Sequence, residues 1–133
     1  MEKDDWLKIK YFTQLENWGD VSLIPLELIS ELDLYRDAVK TPIVISCGTQ
    51  GTHISNSYHY KGLALDLLFP EKEKQHIPEL FLIATKFKFT GIGVYPDWEF
   101  KGKATGGMHL DFRPVPVKAV WIGIKKPAPG YLA

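Results

Sequence analysis

A single carboxylate interrupts an otherwise apolar run: Leu63, Ala64, Leu65, Asp66, Leu67, Leu68 and Phe69. Opened by Gly62 and closed by Pro70, the run predicts a strand over residues 63–69 that is buried on both faces. No choice of face then leaves Asp66 in water. An ionised carboxylate carried into such surroundings is costly unless it is paired or metal-bound, so the fold has to bring positive charge to it. His59 is one source. It precedes Asp66 by an odd number of positions, which on a continuous strand means opposite faces, but Lys61 and Gly62 supply a bend between them. A buried ion pair with Arg113 or Lys61 is the metal-free alternative.

A second segment, residues 108–113, reads Met, His, Leu, Asp, Phe, Arg. Strand alternation sends His109, Asp111 and Arg113 to one face and Leu110 and Phe112 to the other. Asp111 is equally suited to orienting an imidazole from behind a metal and to pairing with Arg113. His59, Asp66 and His109 together form the two-imidazole, one-carboxylate ligand set of a catalytic zinc. That set leaves a fourth position for water, whose pKa falls toward ~7 on the metal. His53 and His76 lack such neighbours and read as surface or hydrogen-bonded polar groups.

The chain's 133 residues read as one domain, 1–133. Thr13 and Glu16 form a capping-box pair that starts a short helical turn. Pro25 opens a helix whose apolar stripe is Leu28, Ile29, Leu32, Tyr35 and Val39, stopped by Thr41 and Pro42. Residues 43–47 predict a strand, followed by a polar loop to Ser57. Pro78 begins a second helix, with Ile77, Leu80, Phe81, Ala84 and Phe87 on one face. Residues 91–95, 108–113 and 119–124 read as strands, residues 96–107 as a long loop, and residues 125–133 as an irregular tail. Short strands in succession with few helices predict an α+β fold: a small, largely antiparallel sheet with helices packed against it.

Hydrophobic content of 45% and charged content of 24% are those of an ordinary globular domain. The formal net charge is zero, which gives no reason to expect nucleic acid or an anionic membrane as partner. No apolar run approaches the ~20 residues of a membrane span, and the charged first ten residues contain no signal-peptide core. A cytoplasmic location as synthesised is therefore expected. Cys47, the one cysteine, lies in an apolar run and reads as a buried, inert thiol. Trp6, Trp18 and Trp121 read as core or cover. Gly91, Ile92, Gly93, Val94, Tyr95, Pro96 is not a nucleotide-binding loop, because Pro96 replaces the third glycine and no helix follows.

Residues 57–66 fill every fixed position of an SxHxxGxAxD pattern, and His109, Asp111 and Arg113 those of a later HxDxR. Together they resemble the zinc D-Ala-D-Ala carboxypeptidase and muramoyl-peptide endopeptidase family. Phe12, Thr13 and Glu16 are similar to that family's opening turn, and Trp121 to a tryptophan that often follows its second metal motif. The resemblance implies the fold of the Hedgehog signalling domain and one zinc per chain on His59, Asp66 and His109. It also implies hydrolysis of peptide bonds in peptidoglycan stem peptides, often next to D-amino acids, with Ser57 near the substrate. Without a signal peptide, such a protein is expected either to reach the wall as a phage or prophage lysin or to act in the cytosol as a D,D-dipeptidase or muropeptide-recycling enzyme.

The sequence departs from the family in two places. The loop arginine that grips a substrate carboxylate in many members is replaced by Gln50, which can hydrogen-bond a carboxylate without neutralising it. The positions that carry the general base in many members are Gly106 and Gly107. Glu99 and Asp97, on the 96–107 loop, are the first candidates for that base, and Asp111 is the third. A non-catalytic, zinc-containing module that binds wall peptides, or a phage structural domain, is the alternative these departures leave open.

Overall fold

The computed structural model describes residues 2–51 and 57–123. Pro25, at φ −69°, caps the long helix α1 (Leu26–Val39). Lys40 ends it in the left-handed conformation, φ 55°, its N–H returning to the Arg36 carbonyl. Leu28, Ile29, Leu32 and Tyr35 are fully buried, as their spacing predicted. The Tyr35 hydroxyl donates to the Leu80 carbonyl at 2.8 Å, which ties α1 to the shorter helix α2 (Ile77–Ala84). Two acids on α1 serve as anchors. Asp33 accepts the amides of Lys10 and Tyr11, at 2.9 and 2.8 Å, and Glu31 accepts that of Lys88 at 2.7 Å. The Thr13–Glu16 pair closes as expected, with the Thr13 amide 3.2 Å from the Glu16 carboxylate, but it caps a turn and not a helix.

The strands are β1 (Val44–Cys47), β2 (Ala64–Leu68), β3 (Gly91–Tyr95), β4 (Glu99–Phe100), β5 (Lys103–Ala104), β6 (Gly107–Asp111) and β7 (Ala119–Ile122). Five of them form one sheet in the order β1-β2-β6-β3-β7. Every pair is antiparallel except β3–β7, so the α+β, largely antiparallel expectation holds. All residues of β2, β3 and β6 are buried. Leu65, Leu67, Ile92, Val94, Met108 and Leu110 join the core with the helices. The alternate residues, Asp66, Gly91, Gly93, His109 and Asp111, lie on the opposite face.

The 96–107 segment differs from its expectation. It is a hairpin, β4 paired with β5, turned by Lys101 and Gly102 at φ 54° and 80°. Left-handed conformation at both central residues suits the twist of a two-residue hairpin, but lysine does not advertise it as Asn or Asp would. The Trp98 carbonyl accepts the amides of Thr105 and Gly106, both at 3.0 Å, and Lys103 pairs with Glu71 at 3.0 Å. The hairpin is thereby anchored at its base and along one side. The expected tail at 125–133, together with Ile124 and His53, lies outside the described residues.

Candidate metal centre

The first histidine is set by a tight turn. The amides of Lys61 and Leu63 both return to the Tyr58 carbonyl, at 3.2 and 3.0 Å, and that of Gly62 to His59 at 3.1 Å. Gly62 is required here: its φ is +73°, and a Cβ would lie 2.0 Å from the Leu23 carbonyl oxygen. Ser57 accepts the His59 amide on its hydroxyl at 3.2 Å, so its side chain shapes the turn. His59 is fully buried, with Nδ1 2.8 Å from the Gly48 carbonyl oxygen and Nε2 3.3 Å from Oδ1 of Asp66.

The second histidine is set by the sheet. β6 pairs His109 directly with Asp66 on β2, and Nδ1 of His109 lies 3.1 Å from the same Oδ1. Its Nε2 lies 2.7 Å from Oδ2 of Asp111. Arg113 closes on Asp111 through Nε at 3.0 Å and Nη2 at 2.7 Å, its guanidinium lying over the rings of Tyr58 and Trp121. Trp121 in turn donates to the Tyr95 hydroxyl at 2.8 Å. Gly91 and Gly93 explain themselves in this setting. A Cβ on Gly91 would lie 2.2 Å from Oδ1 of Asp111, and one on Gly93 would lie 2.4 Å from the Trp121 indole nitrogen.

These contacts assign the ring protons. A carbonyl or carboxylate can only accept, so His59 donates from Nδ1 to Gly48; His109 faces carboxylates at both nitrogens, and its shorter contact, 2.7 Å to Asp111 against 3.1 Å to Asp66, favours the proton of a neutral ring at Nε2. In neutral rings the opposite nitrogens then turn lone pairs toward the oxygen of Asp66. Lone pairs facing a carboxylate repel unless positive charge lies between them. Without a metal that charge is protons. Burial would lower the pKa of His59, but the Asp66 carboxylate beside Nε2 and the nearby Cys47 thiol overcome it and raise the value to about 9. His109 is likewise raised to about 9, burial being outweighed by Asp111 and Asp66. Asp66 and Asp111, despite burial, are held down to about 2, Asp66 by the two imidazoles and Asp111 by His109 and Arg113.

One divalent cation can replace the two protons without changing the charge of the cluster. Donors about 2.0–2.2 Å from a tetrahedral zinc stand roughly 3.3–3.5 Å apart, and the two histidine contacts with Asp66 come close to that spacing. The spacing of these two contacts is compatible with such an ion, and the group whose ligand atoms all lie within 4.8 Å of one another among the described residues is Cys47, His59 and Asp66.

Cys47 corrects its sequence reading. It is half-buried, not buried, and pairs across the sheet with Asp66. Cys47, His59 and Asp66 each offer a ligand atom within 4.8 Å of one another. The thiol approaches His59 from the Nδ1 side, at 4.0 Å, and donates to the Gln50 carbonyl at 3.0 Å. Only the β1–β2 register reveals this neighbour, and no motif announces it.

Among the other predicted residues, Gln50 braces the loop: Oε1 accepts the Gly48 amide and Nε2 donates to the Asn17 carbonyl, both at 2.8 Å. Asp111 is fully buried between His109 and Arg113. Asp97 is exposed on the turn after β3, and His76 is exposed before α2. Glu99 lines an open cleft of about 330 Å³ together with Ser46, Asp66, Leu68 and Trp98. Ser46 and Trp98 carry no motif and emerge only in the folded chain. Trp98 stacks on Tyr95, with ring centroids 4.2 Å apart.

Among the described residues no helix is long and apolar enough to cross a membrane. No protein-family model matches the chain, and no curated protein matches it.

Proposed function

We propose that this protein is a zinc-dependent peptidase that hydrolyses peptide bonds in peptidoglycan stem peptides, reaching its substrate as a phage or prophage lysin. One observation carries the metal: two buried imidazoles, each with its outer nitrogen fixed by an acceptor, turn their inner nitrogens to one oxygen of Asp66. His59, Asp66 and His109 would hold the ion. A bound zinc supplies Lewis acidity, polarising a carbonyl and lowering the pKa of water toward ~7.

The chain's own residues do the positioning. Gly48 and Asp111 lock the two imidazoles, and Arg113, held over Tyr58 and Trp121, keeps Asp111 ionised behind His109. Asp66 opens into the cleft beside Trp98 and Glu99, where a peptide can approach it. The cell-wall substrate and the Hedgehog-like form of the fold rest on the resemblance of residues 57–66 and 109–113 to the carboxypeptidase and endopeptidase family. An α+β domain with a largely antiparallel sheet supports that resemblance.

A second reading, a zinc-containing wall-peptide binding module, is favoured by two details. Glycine stands at positions 106 and 107, and the Gln50 amide is engaged with the loop backbone. Metal analysis of the purified protein, followed by mass spectrometry of peptidoglycan digested with it, separates the two. Stoichiometric zinc with new peptide termini supports the peptidase. Zinc without cleavage supports the binding module, and no zinc removes both.

A further inference from the structure

We propose that Glu99 is the catalytic base, brought to the cleft by the β4–β5 hairpin and not by the strand that carries His109. The inference rests on the peptidase reading above and names the proton acceptor that reading leaves open. Three observations converge on it. Glu99 and Asp66 line the same open cleft, and Asp66 is the one proposed ligand that does so. Any reacting water held beside Asp66 is therefore approached from the side where Glu99 stands.

The β6 side of the site has no room for a base. A Cβ on Gly107 would lie 2.3 Å from the Leu67 carbonyl oxygen and 2.7 Å from Trp98 Cε3, and Gly106 sits at φ +83°. The Trp98 ring occupies the space a side chain at 107 would need. Trp98 and Glu99 are adjacent, so the residue that closes off one position delivers a carboxylate from the next.

The backbone next to Glu99 is tied down at the base of the hairpin. Two amides bond the Trp98 carbonyl, Trp98 stacks on Tyr95, and Lys103 pairs with Glu71 across the far side. The other two carboxylates fit less well: Asp111 is fully buried with its oxygens bonded to His109 and Arg113, and Asp97 is not among the residues lining the cleft.

In the step, Glu99 takes one proton from water as the water oxygen bonds to the scissile carbonyl carbon. When the C–N bond breaks, Glu99 returns that proton to the departing nitrogen. The remaining acid proton passes to the amine, leaving a carboxylate and an ammonium.

The test compares Glu99→Gln, Glu99→Asp and Asp97→Asn in zinc-loaded protein on peptidoglycan fragments, with zinc content measured for each. Glu99→Gln is expected to lose roughly 10²–10⁴-fold in kcat with zinc retained, and Glu99→Asp to recover part of it. Carbon-detected NMR gives a readout independent of turnover. Adding zinc should shift the Glu99 carboxyl resonance and leave that of Asp97 in place. Glu99→Gln at wild-type turnover, a larger loss in Asp97→Asn, or a Glu99 carboxyl resonance indifferent to zinc would overturn the proposal. A wild-type protein that cuts nothing removes the peptidase reading and the base with it; an active wild type matched by Glu99→Gln removes the base alone.

Discussion

Nε2 of His109 lies 2.7 Å from Oδ2 of Asp111, which leaves Nδ1 as the ring nitrogen that serves Asp66. Asp111→Asn keeps the shape of that contact and removes its charge. Zinc affinity is expected to fall roughly 10–100-fold, the range for a carboxylate behind a metal-bound histidine. Competition with a chromophoric chelator measures it. Wild-type affinity in the variant would mean that Asp111 serves Arg113 alone.

Gly91 faces Asp111 across β3 and β6, and a Cβ there would meet all three atoms of its carboxylate group within 2.4 Å. Gly91→Ala is therefore expected to push Asp111 off His109. Overpacking of this kind costs about 1–3 kcal/mol, read as a lower Tm. The same chelator competition should show weakened zinc binding, although residue 91 is nowhere among the ligands. A stable variant with unchanged affinity would show that the carboxylate can shift without consequence.

Removing either imidazole should empty the centre. Zinc content of His59→Ala and His109→Ala, measured by elemental analysis, is expected to fall to near zero. Chelation should lower the Tm of the wild type but not that of the variants. Zinc retained in both variants would refute the proposed ligand set and shift attention to Cys47 with Asp66.

The metal-free protein is expected to show a particular pH profile. His59 and His109 are raised from 6.5 to about 9, so their stabilisation is complete below pH 6.5 and is lost as pH rises through about 9. Asp66 and Asp111 are lowered from 3.8 to about 2, so theirs is present above pH 3.8 and is lost as pH falls through about 2. Chelated protein should melt highest between those limits and lose Tm on the alkaline side. Zinc should bind more tightly over that same alkaline interval, because each imidazole sheds a proton to bind. Thermal melts with chelator and with zinc, across the range, test both limbs. A flat Tm between pH 6.5 and 9 in chelator would mean that the imidazoles are not held protonated.

Much of this architecture is legible in the chain because its determinants are local. The Leu28, Ile29, Leu32, Tyr35 stripe specifies α1, and Gly62 specifies the bend that swings His59 toward Asp66. The alternation of His109, Asp111 and Arg113 places all three on one face. The hairpin within 96–107 was hidden, because a lysine in the left-handed conformation carries no turn signal.

That a carboxylate is buried in a strand, and that positive charge has to meet it, follows from the chain's own pattern. How it is met depends on the assembled sheet. The pairing of β2 with β6 sets His109 beside Asp66, the β1–β2 register brings Cys47 within reach, and the hairpin carries Glu99 to the cleft that Asp66 lines. The difference is one of range. Burial cost and strand alternation act on neighbours along the chain, whereas the partners of Asp66 come from segments that meet only when the sheet assembles.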